Sequence, residues 1–173
     1  MSTVTVAGSS SSRWSSVIRR VTIVAVGKVR GWAADGCEDY AERIRRHFPV
    51  RVVEVAEEDM NRRNRDEVLA AEAARLLKNL PSGAHVVVLD RERGVHLSSE
   101  KVSRRLDVLG SAGRSHVVFV LGGPLGLAPD VLERADEAWS FGAATLPHAL
   151  ARVVLLEQLY RAVKIGRGEK YHW

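Results

Sequence analysis

From about residue 21 onward, short apolar runs alternate with longer segments that carry apolar side chains at helical spacing. The run HVVVL at residues 85–89 is continuous rather than alternating, which is typical of a strand buried on both faces of a parallel sheet. Strands that alternate with helices predict an α/β fold, with a mostly parallel sheet covered by helices on both faces. Further strands are predicted at residues 21–26, 51–55, 116–121 and 137–141.

Helices are predicted between these strands from apolar spacing and from their end signals. Pro81 and Gly83 close a strong helical segment, Ser98 caps another, and Pro129 suits the first turn of a third. Pro147 opens the last helix, and glycines follow its end. The predicted helices cover residues 35–46, 64–80, 98–109, 128–135 and 147–165.

The last predicted helix is apolar nearly all round. One apolar stripe is enough to pack a helix on a sheet, so two apolar faces predict a second partner. We therefore expect a homodimer with this helix at the subunit interface. A central helix within one chain is the alternative. The apolar residues are Leu150, Val153, Val154, Leu155, Leu156, Leu159, Val163 and Ile165.

Composition narrows the class of protein. A length of 173 residues fits one domain, and a single cysteine excludes an intramolecular disulfide and indicates a reducing compartment. Cys37 is interpreted as a helix residue rather than a nucleophile, because no histidine lies near it in sequence. A net charge of +5 favours a polyanionic partner. No segment approaches the roughly 18 apolar residues of a membrane span, so no membrane partner is expected.

Residues 1–20 are rich in serine, contain arginine and lack acidic residues. We therefore separate them from a single domain at residues 21–173. Their composition resembles that of an organellar transit peptide. A disordered bacterial extension, or a misassigned start codon, is the alternative that we favour. The predicted location is the cytoplasm, with a plastid or the mitochondrial matrix as the alternative.

Three loops follow predicted strands and are candidates for one ligand site. They begin at Leu89-Asp90, at Gly122-Gly123 and at Gly142. Ligands of parallel sheets bind beyond the carboxyl ends of the strands, so these loops can converge on one pocket. The glycine loop matches neither the dinucleotide fingerprint nor the P-loop, which disfavours a nucleotide site of either kind. Asp90 either binds a ligand or only ends its strand.

The histidines show no metal-binding spacing, so no metal is predicted, and no serine-nucleophile motif is present. The C-terminal segment combines cations with aromatic rings, which suits contact with RNA phosphates and bases. A solvated basic helix end is the alternative. The segment comprises Arg161, Lys164, Arg167, Lys170, Tyr171, His172 and Trp173.

Several motifs in a fixed order resemble the ribosomal large-subunit RNA methyltransferase H family, which belongs to the SPOUT methyltransferases. They are VAVGK, LDRERG with HLSSE, VLGGPLGL, TLPHALARVVLLEQLYRA and the terminal KYHW, spread from about residue 21 to the C-terminus. The resemblance implies a homodimeric α/β fold with a C-terminal trefoil knot. It also implies S-adenosylmethionine as cofactor and methylation of N3 of a pseudouridine in helix 69 of 23S rRNA, on the assembled ribosome. The knot is implied by the resemblance alone, because chains rarely thread their own loops and no periodicity or spacing predicts it.

The resemblance also assigns residues. Arg161 is implied to supply charge, and Tyr171 or His172 to relay a proton or orient the base, with the tail of one subunit completing the pocket of the other. RNA contacts are expected from Lys164, Arg167 and Lys170. Trp173 departs from the family, which often has a basic residue at that position. The implied cofactor residues are Leu89, Gly123, Gly142, Ala143, Ala144, Thr145, Leu146 and Pro147.

Two other functions remain open at this point. One is a SPOUT methyltransferase that acts on a different uridine. The other is a ribosome-binding assembly factor without catalysis, although such a protein has no need of intact cofactor loops.

Overall fold

The structure, a computed structural model, describes residues 18–171. Within this range six strands form one sheet in which every neighbouring pair is parallel. The strands are β1 (Arg20–Val26), β2 (Val50–Val55), β3 (His85–Leu89), β4 (Val95–His96), β5 (His116–Leu121) and β6 (Glu137–Ser140), in the order β2-β1-β5-β3-β6-β4. The helices are α1 (Trp32–Arg45), α2 (Arg65–Lys78), α3 (Ser99–Ser111), α4 (Pro129–Arg134) and α5 (His148–Gly166).

Helices cover both faces of the sheet, which confirms the predicted architecture. Alternate residues of a strand enter different cores: Ile23 packs on one face and Val24 on the other. The first core joins the sheet to α1, α3 and α5, and the second joins it to α2 and α4. All central strands are apolar on both sides for this reason.

Local end signals set the helix boundaries. Asn64 and Glu67 form a reciprocal capping box at the start of α2. The Ser98 hydroxyl accepts from the N–H of Lys101 at the start of α3. Pro129 occupies the first turn of α4, where its missing N–H costs nothing. These helices therefore begin close to their predicted positions.

Three features differ from the sequence-based expectations. Strand β4 was not predicted, because two residues are too few to show a period. Helix α1 begins at Trp32, three residues before the predicted start. Ile18 is buried in the core, so the packed region begins before the predicted boundary at residue 21.

Helix α5 packs against both α1 and α3 on one face of the sheet. This position buries Leu155, Leu156 and Leu159 within one chain. The alternative of a central helix accounts for these residues, so the apolar character of α5 does not by itself require a second copy. No helix within residues 18–171 is long and apolar enough to cross a membrane.

Cys37 lies in α1, where it is half-buried against the core. Burial raises the pKa of its thiol, which opposes formation of the thiolate. This environment agrees with a helix residue rather than a nucleophile.

Candidate active site

A cavity of about 510 Å³ lies at the carboxyl ends of β3, β5 and β6. Because parallel strands end at the same edge of a sheet, the three loops that leave these strands converge there, together with the start of α5. Ala143 is not among the lining residues. Seven of the eight predicted cofactor residues line the cavity: Leu89, Gly123, Gly142, Ala144, Thr145, Leu146 and Pro147.

The glycine loop after β5 turns tightly back on itself. The N–H of Gly126 donates to the carbonyl of Gly123 at 3.0 Å. A Cβ atom on Gly122 would lie 2.4 Å from the carbonyl oxygen of Gly126, a distance that no side chain can occupy. A side chain at Gly122 would therefore force this turn open. Gly122, Gly123 and Gly126 all line the cavity, so backbone rather than side chain faces a ligand at these positions.

The loop after β6 offers main-chain groups to the same cavity. The Ser140 hydroxyl accepts from the N–H of Gly142 and donates to its carbonyl, both at 3.2 Å, which shapes the start of this loop. Helix α5 begins after Pro147 without a side-chain cap in the described part of the chain. The amides of its first turn are therefore left for a ligand or for water.

Asp90 and His148 contribute polar side chains to the lining. Asp90 Oδ1 accepts from the N–H groups of Glu92 at 2.9 Å and Arg93 at 2.7 Å, so this oxygen shapes the turn after β3. His148 lies beside Gly27, at the end of β1. Among residues 18–171, no group of three or more His, Cys, Asp or Glu side chains is placed to hold a metal ion.

A buried arginine, which the sequence patterns did not single out, fastens α5 to the sheet. Arg152 is 1% exposed. Its Nη2 donates to the carbonyl of Gly27 at 2.9 Å, and its Nη1 pairs with Glu54 Oε1 at 2.5 Å. Both partners lie at the carboxyl ends of β1 and β2. The start of α5, which carries part of the cavity wall, is thereby held at this edge of the sheet.

The predicted catalytic residues Arg161 and Tyr171 lie together at the other end of α5. The Arg161 guanidinium lies 4.4 Å from the ring centroid of Tyr171, and its Nε donates to Glu157 at 2.9 Å. Tyr160 meets Tyr171 edge-on, with 5.1 Å between the ring centroids. Burial, with a hydrogen bond to Tyr40, raises the pKa of the Tyr171 phenol well above its usual range. His172 and Trp173 lie outside the described residues.

The predicted RNA-binding cations are not all free of partners. Lys164 and Arg167 both pair with Glu169, the latter at 2.5 Å. Lys164, and after it Arg167, lowers the pKa of Glu169 to about 2, so this carboxylate stays ionised at neutral pH. Lys170 is exposed. RNA phosphates would therefore compete with Glu169 for two of the three cations.

The structure does not bring the two predicted sets of residues together within one chain. His148, which lines the cavity, and Arg161 stand thirteen residues apart on the same helix, which is roughly 20 Å at 1.5 Å per residue. Arg161 and Tyr171 instead line a separate hollow with Ser99 and Lys170. A complete site built from both sets needs a second chain or a large movement of the tail.

Known proteins resemble this chain over nearly its whole length. Residues 19–172 match the model of a family described as predicted SPOUT methyltransferase. The ribosomal RNA large subunit methyltransferase H of Rubrobacter xylanophilus is 70% identical over 158 residues, which are 91% of this chain and 100% of the relative. The chain belongs to the methyltransferase H family of SPOUT proteins.

Other relatives agree with this assignment. The ribosomal RNA large subunit methyltransferase H of Moorella thermoacetica is 45% identical over 157 residues, covering 88% of this chain and 98% of the relative. Among solved structures, a probable methyltransferase from Bordetella pertussis aligns with a TM-score of 0.53 at 16% identity, covering 86% of this chain and 99% of its own. At this identity the likeness shows a shared fold.

S-adenosylmethionine is the methyl donor of SPOUT methyltransferases, and the cavity fits such a ligand. Its volume of about 510 Å³ falls within the range of small-molecule sites, roughly 300–1,000 Å³. Gly122, Gly123 and Gly126 line the cavity without side chains, and the first amides of α5 can receive a carboxylate. Behind Gly123, a buried carboxylate oxygen of Glu72 has no partner within residues 18–171, which suits a cationic ligand.

Sequence reasoning missed Arg152 and Glu72. An arginine inside the otherwise apolar run from Leu150 to Leu156 was a signal that could have drawn attention. Glu72 stands among other charged residues of α2 and gave no such signal.

Proposed function

We propose that this methyltransferase transfers the methyl group of S-adenosylmethionine to N3 of a pseudouridine in helix 69 of 23S rRNA, on the assembled ribosome. The observation that carries the proposal is the 70% identity, over the full length of the relative, to a ribosomal RNA large subunit methyltransferase H. The convergence of the three cofactor loops on one cavity supports a catalytic role over that of a pure binding protein. The enzyme would act where ribosomes are, in the cytoplasm or, if residues 1–20 form a transit peptide, in an organelle.

The chemistry requires that N3 of the base lose its proton and meet the methyl group in line. When bound, S-adenosylmethionine supplies a methyl group on a positively charged sulfur. Arg161 stabilises the negative charge that develops on the base, because Glu157 holds its guanidinium in place. Tyr171 keeps its proton at neutral pH, and its O–H orients the base by exchanging Tyr40 for the base as hydrogen-bond acceptor. His172 is the proposed proton acceptor.

We propose a homodimer in which the tail of one chain completes the cavity of its partner. The support is the separation of roughly 20 Å along α5 between the cavity at His148 and the charge at Arg161. Trp32 adds to it, since this large side chain is 68% exposed at the same edge of the sheet as the cavity. Aromatic side chains such as tryptophan are enriched at protein–protein interfaces.

We propose also that the chain is knotted. Strand β6 lies between β3 and β4, although β3 and β4 follow one another in sequence. Their connection passes directly against β6, since a Cβ atom on Gly94 would lie 2.3 Å from the carbonyl carbon of Trp139. The insertion of β6 between two strands that are joined directly in sequence supports a threaded chain. Tracing residues 85–147 in an experimental density map tests the proposal, and a path that leaves β6 outside the loop would overturn it.

RNA binding is proposed for the basic tail. Lys170 is exposed and has no carboxylate partner within residues 18–171, so it can meet phosphate directly, whereas Lys164 and Arg167 would exchange Glu169 for it. Such exchange predicts binding that weakens steeply as salt rises.

A methyl-transfer assay tests the proposed function. Tritium from labelled S-adenosylmethionine should enter 23S rRNA of assembled ribosomes that contain the pseudouridine, and should not enter ribosomes that lack it. Equal transfer to both would show that another nucleotide is the substrate. Tight cofactor binding without any transfer would point to a ribosome-binding factor instead.

A further inference from the structure

Glu72 is a buried acid for which the proposed mechanism has no use. It lies on α2 with 2% of its surface exposed. One carboxylate oxygen, Oε1, accepts from the N–H of Glu58 at 3.1 Å. The other, Oε2, is buried and has no hydrogen-bond partner within residues 18–171. A buried carboxylate with an unsatisfied oxygen is costly, so its position calls for a reason.

The unpaired oxygen points at the wall of the cavity. A Cβ atom on Gly123 would lie 3.0 Å from Glu72 Oε2 and 3.3 Å from Oε1. Gly123 itself lines the cavity. A single glycine, without a side chain to intervene, therefore separates the carboxylate from the space that a ligand would fill.

In the described part of the chain, no cation bonds directly to Glu72. Arg75, on the same helix, donates to the carbonyl of Ala56 and pairs with Glu58. Burial raises the pKa of Glu72, and the neighbouring Glu57 acts in the same direction. A positive charge placed in the cavity would favour the ionised carboxylate.

The sulfur of the methyl donor carries such a charge only before the reaction, whereas the amino group is cationic in donor and product alike. S-adenosylmethionine has a positively charged sulfur, whereas the sulfur of its product, S-adenosylhomocysteine, is neutral. Apart from the methyl group and its charge the two ligands are alike, so a carboxylate near this sulfur distinguishes them by charge.

We propose that Glu72 is a positioning residue that makes the cavity prefer S-adenosylmethionine over S-adenosylhomocysteine. Its carboxylate acts through the backbone of Gly123, without contact to the reacting atoms. Once the methyl group has left, the attraction is lost and the product is released more readily. This inference rests on the proposed function for the identity of the ligand, but it concerns binding alone and needs no RNA.

Calorimetric titration of each ligand, in the absence of RNA, tests the proposal. Glu72→Gln should weaken binding of S-adenosylmethionine about tenfold, because a charge at short range in a partly buried site is removed, and should leave binding of S-adenosylhomocysteine nearly unchanged. Asp66→Asn is the matched control. It removes one negative charge from an exposed position of the same helix and should change neither affinity.

Equal weakening of both ligands would overturn the proposal, because a merely structural role of Glu72 affects both alike. No change in either affinity would overturn it as well. If Glu72→Gln does not fold, Glu72→Met provides the same comparison with a neutral side chain that needs no hydrogen bond. Failure of the proposed function is distinguishable, since a wild-type protein that binds neither ligand would contradict it before any variant is made.

Discussion

Nη2 of Arg152 donates to the carbonyl oxygen of Gly27 across 2.9 Å, and this bond joins the last helix to the end of the first strand. The two residues are 125 positions apart in sequence. The same guanidinium pairs with Glu54 at the end of β2. Three elements are thereby held at the edge of the sheet where the cavity lies.

Replacing Arg152 should destabilise the protein. Arg152→Ala leaves the carbonyl of Gly27 and the carboxylate of Glu54 without their donor, and we expect a loss of about 3 kcal/mol in the free energy of unfolding. Arg43→Ala is the control, because Arg43 forms an exposed pair with Asp39, whose loss should cost less than about 1 kcal/mol. Urea denaturation measures both. Similar midpoints for the two variants would contradict the anchoring role.

Gly122 should not tolerate a side chain. The Cβ atom in Gly122→Ala would collide with the carbonyl of Gly126, so the loop must open and cofactor binding should fall at least tenfold. Gly36→Ala in α1 is the matched control, since its Cβ atom would only contact Val153 of α5 at 3.5 Å. Calorimetry with S-adenosylmethionine provides the comparison. Unchanged affinity in Gly122→Ala would exclude this wall from the cofactor site.

The raised pKa of Tyr171 makes stability depend on pH in the alkaline range. The unfolded chain loses this proton near pH 10, whereas the folded chain retains it, because burial disfavours the phenolate. The folded state then binds more protons, so stability should fall as pH rises above about 10. Tyr171→Phe should reduce this fall.

Urea denaturation at several alkaline pH values, together with ultraviolet titration of the phenolates, measures the effect. A variant that loses stability with pH as steeply as the wild type would contradict the assignment. The assignment would also be wrong if Tyr171→Phe lost a phenolate signal near pH 10, because Tyr171 of the folded wild type should not ionise there.

Mixed dimers should reveal whether the tail acts on the partner's cavity. A chain with Gly122→Ala and a chain lacking residues 170–173 should each be inactive alone. Each mixed dimer retains one intact cavity with one intact tail, so random mixing should restore about one quarter of wild-type methyl transfer. If the mixture stays inactive although chromatography shows mixed dimers, the tail acts on the cavity of its own chain.

The convergence of Leu89, Gly123 and Gly142 was predictable from the sequence. Apolar runs mark strands, their order with helices marks a parallel sheet, and such a sheet brings the carboxyl ends of its strands to one edge. The residues that support the cavity from behind were not predictable in the same way. Arg152 and Glu72 act on groups that are remote in sequence, so no local period reveals their partners.

The strands, most helix ends and the residues of the cofactor loops could be predicted from the sequence, because each depends on residues only a few positions away. Folding alone set the place of β6 between β3 and β4, which no periodicity encodes. It also brought Arg152 of α5 against Gly27 and Glu54, which are remote in sequence. Strand order and helix placement arise from long-range packing, and that packing places the cavity at the first turn of α5, away from the charged tail at the other end of this helix.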